Sequence, residues 1–118
     1  MDKFVQTELE GAGVNVEETL RRFMNNEMLM IKFLRKFVDD ENMNKLRTLI
    51  AAKHYNEVLP VAHTLKGVAV NLGFDALYKQ TCELTEKLRG KTFDDTETLF
   101  ANVQREYGRV IENLQSLE

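Results

Sequence analysis

Val58-Leu59-Pro60-Val61-Ala62-His63-Thr64-Leu65-Lys66-Gly67-Val68-Ala69-Val70-Asn71-Leu72-Gly73 is the stretch that decides how this chain folds. Its apolar residues do not alternate as they would in a half-buried strand. Val58, Ala62, Leu65, Ala69 and Leu72 recur at steps of three and four, and at about 100° per residue they gather on one side of a helix, which must be the side facing a core. His63 then points nearly opposite. Lys66 and Gly67, three and four residues further on, lie beside it on the helix surface, together with Leu59 and Val70. The stretch reads as a helix from about Asn56 to Leu72, closed by Gly73. Pro60 is expected in or near the first turn, where few intrahelical donors are lost.

Helical spacing continues in both directions. Upstream, a first short helix is expected from Asn15, an N-cap followed by Glu18, and it carries Leu20, Phe23 and Met24 as far as Asn25-Asn26. A second runs from about Glu27 into Asp39-Asp40-Glu41, with Ile31, Leu34, Phe37 and Val38 opposite Lys32, Arg35 and Lys36. Met43, Leu46, Leu49 and Ile50 mark a third, ending near Lys53-His54. Downstream, Asp75 can cap a helix striped by Leu77, Thr81, Leu84 and Leu88, with Gly90 at a left-handed C-cap. The last helix opens at Asp94-Asp95-Thr96 and runs to the C-terminus. The expected fold is all-α, an antiparallel four-helix bundle with a short N-terminal capping helix, forming one domain over residues 1–118.

Composition removes several function classes. A net charge of -3, with Lys and Arg dispersed among Asp and Glu, offers no footprint for a phosphate backbone. No apolar run approaches the roughly twenty residues that span a bilayer, and the first residues lack the apolar core of a secretion signal. Cys82 is the only cysteine, which excludes an intramolecular disulfide and fits a reducing cytoplasm. Neither histidine, His54 or His63, belongs to a Glu-x-x-His pair, so no metal site is expected. A P-loop, a glycine-rich nucleotide loop and a nucleophile elbow are all missing from the sequence. Protein partners are left as the natural ligands.

The chemistry available at the exposed histidine is nucleophilic. A neutral imidazole nitrogen can attack phosphorus and hold the group covalently. Lys66 can offset the charge of a phosphoryl group on His63. Gly67 leaves the ring uncrowded, at some loss of helix propensity, and Leu59 and Val70 would form an apolar rim for a docking helix. His54 has no comparable neighbours and reads as incidental.

The signature Ala62-His63-x-Leu65-Lys66-Gly67, followed by Ala69 and a closing Leu72-Gly73, resembles that of the histidine-containing phosphotransfer (Hpt) domains of multistep phosphorelays. Gly13-Val14-Asn15-Val16-Glu17-Glu18-Thr19-Leu20-Arg21-Arg22-Phe23, with Leu29, Phe33, Leu34 and Phe37, is similar to the family's N-terminal half, so the likeness spans about residues 11–117. The resemblance implies a phosphoryl carrier and no ATP-using enzyme. His63 would be phosphorylated by the phospho-aspartate of a receiver domain and would pass the group to another receiver. It also implies response-regulator receivers and a hybrid sensor kinase as partners, a monomeric carrier in the cytoplasm, and no cofactor of its own, with Mg²⁺ held by the receiver. Many members orient the active ring with Gln or Glu on the next helix. By spacing, that position falls here on Thr85, flanked by Glu86. A rival reading is a module of the same fold that sequesters a receiver or another helix-bearing partner without being phosphorylated, and a third is the Hpt piece of a larger sensor kinase.

Overall fold

The computed structural model describes residues 1–117 and is helical almost throughout. Seven α-helices follow in order: α1 Lys3–Gly11, α2 Val16–Arg22, α3 Glu27–Lys36, α4 Asn42–Ala51, α5 Tyr55–Asn71, α6 Asp75–Arg89 and α7 Thr96–Gln115, with a single 3₁₀ turn at Phe37–Asp39. In space α5 packs against both α4 and α6, and α6 packs against α7. The stripe read from the sequence of α5 is the buried one, since Val58, Ala62, Leu65 and Ala69 are fully excluded from solvent and Leu72 nearly so. The stripe of α6 (Leu77, Thr81, Leu84, Leu88) faces the same interior, where Phe74, Met30, Leu34 and Val103 are also buried. Each large side chain so buried contributes roughly 1.5–3 kcal/mol, which is why this periodicity predicts the fold better than local propensity does.

Helix ends follow capping chemistry, with some departures from expectation. Asn15 caps α2 by accepting the Glu18 N–H at 3.2 Å, and its amide donates to the Glu18 carboxylate. Asn26 does the same for α3 through the Leu29 N–H. Asp75, expected as a cap, is instead the first residue of α6, and Phe74 holds the cap position without a side-chain bond. Gly90 is not left-handed (φ -78°), and the left-handed residue is Lys91, one place later (φ 56°), where its N–H bonds the Leu88 carbonyl. Pro60 lies deeper than expected. Counting from Tyr55 it is the sixth residue of α5, past the donor-free first turn, so the Asn56 carbonyl loses a helical partner there. Helix α1, not expected from the sequence, is capped by Asp2, which accepts the N–H groups of Phe4 and Val5.

The N-terminal segment is fastened to the turn that ends α5. Gly73 is left-handed (φ 78°), its carbonyl accepts the Asn15 N–H at 3.1 Å, and Val14 forms an antiparallel bridge with Phe74. Arg22 donates to the Val70 carbonyl at 2.7 Å, adding a charged donor to an oxygen that also accepts the Gly73 N–H at 3.3 Å. Thr19 is fully buried there, its hydroxyl without a hydrogen-bond partner. Below this clip, Phe37 packs against Phe74 and Tyr107 with ring centroids 4.9 and 5.5 Å apart. Burial, and secondarily the charge of Asp40, raises the pKa of the Tyr107 phenol above its ordinary value.

Candidate functional site

The middle of α5 turns one side of the helix to the core and leaves His63 exposed on the other. Among the described residues the exposed His63 ring takes part in no hydrogen bond and no ion pair. His54 differs. It precedes the first turn of α5, and its Nδ1 lies 3.1 Å from the Glu57 carboxylate. One imidazole is held by a carboxylate at a helix start, whereas the other stands free in mid-helix.

Lys66 is half-buried, and its ammonium is paired with no carboxylate among the described residues. Such a cation is available for an anionic group brought to the neighbouring ring. Gly67 needs its lack of a side chain for no packing reason: a Cβ built there would meet nothing within 4 Å. Close helix-helix packing therefore does not explain this glycine, and the space above it opens to whatever approaches His63. Leu59 and Val70, expected as an exposed rim, are both half-buried, and Leu59 packs partly against the core. They supply edges of apolar surface rather than free side chains.

Thr85 does not take the ring-orienting role that spacing suggested. It is fully buried, and its hydroxyl donates to the Cys82 carbonyl one turn back at 2.9 Å. On α6 it sits four residues after Thr81 and one after Leu84, which places it on the core side. Glu86 is exposed and forms a 2.7 Å ion pair with Arg89. The Arg22 clamp on Val70, which joins α2 to the helix that carries His63, was not expected from the sequence. The one sequence signal for it is an arginine in the last turn of a short helix.

No helix is long and apolar enough to cross a membrane, and no cluster of three or more His, Cys, Asp or Glu suited to a metal ion occurs among the described residues. A family model described as Hpt domain matches residues 32–117. The likeness read further upstream, over residues 11–31, lies outside that match. Neither the curated proteins nor the solved structures give a significant match.

Proposed function

Because the chain belongs to the Hpt domain family, whose members take part in phosphorelay phosphotransfer, we propose that His63 is its phosphoryl-carrying residue. One observation carries the reading: on α5 an exposed imidazole, unpartnered among the described residues, is followed three and four residues on by Lys66, which has no carboxylate partner among them, and by Gly67, whose surface is open. In the proposed step a neutral ring nitrogen, most simply Nε2, attacks the phosphorus of a receiver's phospho-aspartate in line. The new N–P bond forms as the acyl P–O bond breaks, and the aspartate leaves as a carboxylate. Transfer to a second receiver reverses these events.

Phosphoryl transfer depends chiefly on position and charge compensation. Lys66 is this chain's contribution, and the receiver's Mg²⁺ supplies the rest. Gly67 gives the receiver access, and Leu59 and Val70 give it apolar edges. We read residues 1–118 as one domain in which α4 to α7 form an antiparallel four-helix bundle, acting as a cytoplasmic monomer between a hybrid sensor kinase and response-regulator receivers. Hpt domains are phosphocarriers rather than kinases, and this chain is assigned the same role.

The test mixes the protein with a labelled phospho-receiver and Mg²⁺. The expected result is acid-labile, alkali-stable label on the parent and none on His63→Gln. Equal labelling of the two proteins would refute the assignment. Tight receiver binding with no transfer in the parent would favour the sequestering module instead.

A further inference from the structure

Steps of four, three and four residues place Asn56, Pro60, His63 and Gly67 on one stripe of α5, opposite the buried Val58, Ala62, Leu65 and Ala69. Asn56, Pro60 and His63 are exposed, and Gly67 is half-buried. Proline and glycine are the two poorest helix formers, and on this stripe they flank the histidine, one three residues before it and the other four after. The core explains neither of them. The exposed Pro60 ring fills no interior space, and a Cβ at Gly67 would meet nothing within 4 Å.

The effect of Pro60 on its own turn is specific. It has no N–H to give the Asn56 carbonyl, and its ring crowds that oxygen. The lost bond lies on the solvent side of the helix, because both residues are exposed there. The Pro60 carbonyl is altered as well. Helical pairing points the Thr64 N–H at it, and the Thr64 hydroxyl also donates to it at 3.0 Å. Interior prolines and hydroxyl bonds of this kind both bend helices. Where the outer bonds of a turn are lost or loosened, that side lengthens and the helix curves convex toward solvent. Residues 55–59 then tip back from whatever approaches His63 over the outer face, while Gly67 leaves the approach from the other side clear.

We infer that Pro60, seconded by Thr64, is a positioning residue for phosphoryl transfer: it bends the turn before His63 and so lets a receiver's phospho-aspartate reach the ring in line. Pro60 acts through the helix and touches no reacting atom. The inference rests on His63 as the phosphoryl carrier, as proposed above. The test compares the full chain with Pro60→Ala, Thr64→Val and Thr64→Ser, each checked for folding by circular dichroism. Transfer from a labelled phospho-receiver with Mg²⁺ is followed over a range of receiver concentrations.

In Pro60→Ala the amide gained at position 60 should be protected from hydrogen exchange and the urea midpoint should rise. Transfer at saturating receiver should nevertheless slow about fivefold, with the half-saturating concentration within about twofold of the parent's. Thr64→Val should slow the saturated rate about twofold, whereas Thr64→Ser, which keeps the hydroxyl, should match the parent. A parental saturated rate in Pro60→Ala or in Thr64→Val overturns the inference and leaves His63 transfer standing. An unprotected amide at position 60 does the same, since the missing bond then does not shape the turn. A defect that vanishes at saturating receiver makes Pro60 a docking contact and also overturns it. A parent that accepts no phosphoryl group from any receiver removes both readings.

Discussion

Gly67 and Gly73 belong to one stretch of chain, yet the fold needs only one of them. Gly73 has left-handed backbone, its carbonyl receives the Asn15 N–H, and a Cβ there would overlap the Thr19 hydroxyl. Gly67 has ordinary helical surroundings and empty space where a Cβ would go. The first glycine lets the N-terminal segment close onto the turn after α5. The second weakens its helix and gains nothing from packing, which agrees with the receiver access proposed for it. The same residue type thus marks a fold constraint at one position and open surface at the other, and only the surroundings tell them apart.

Substitution should separate the two sharply. Gly73→Ala should cost about 3 kcal/mol in urea unfolding, of which roughly 1–2 comes from the left-handed backbone and the rest from displacing Thr19. A cost below about 0.5 kcal/mol would mean that the turn adapts freely and the clip constrains nothing. The contact can be isolated by adding Thr19→Ala to Gly73→Ala. Relief of the overlap should appear as a favourable coupling of about 1 kcal/mol, whereas additive effects would place the whole cost in the backbone.

At Gly67 the sign reverses. Gly67→Ala should stabilise the protein by about 0.5–1 kcal/mol, because alanine loses less conformational entropy in a helix and meets no neighbour. The same methyl stands where a receiver must approach His63, so phosphoryl transfer should slow by about tenfold. Stability is read from denaturant unfolding and rate from labelled transfer on the same sample. A more stable variant that transfers at the parent's rate would detach Gly67 from receiver access.

Why the facing of His63 is legible in the sequence and the surroundings of Thr85 are not follows from what a helical wheel can carry. The wheel reports which way a residue faces relative to the buried stripe, so residue spacing alone turns His63 outward and Val58, Ala62, Leu65, Ala69 and Leu72 inward. Applied to α6, the same wheel turns Thr85 inward, since Thr81, Leu84 and Leu88 flank it. Counting residues from His63 to the next helix ignores facing, and that is where the ring-orienting expectation fails. Helix α1 is hard to read for a different reason. Leu9 is its only buried residue, so its sequence has almost no stripe, and it is held by the Asp2 cap and by packing against α7. The left-handed residue after α6 lies one place beyond the expected position because a glycine invites that conformation without requiring it, and Lys91 adopts it in Gly90's stead.

The smallest effect is expected at Gly108, and it makes the Gly67 result interpretable. Gly108 is also a mid-helix glycine, exposed on α7, and a Cβ there would likewise meet nothing within 4 Å. Gly108→Ala should therefore stabilise the protein by about 0.5–1 kcal/mol, matching Gly67→Ala in unfolding, yet leave transfer unchanged because no phosphoryl acceptor lies on that helix. If it slows transfer as much as Gly67→Ala does, the slowing follows from stiffening the fold in general, and the approach surface over His63 loses its support. If only the α5 substitution slows transfer, equal gains in helix stability have had unequal consequences. That inequality can arise only from what docks over α5.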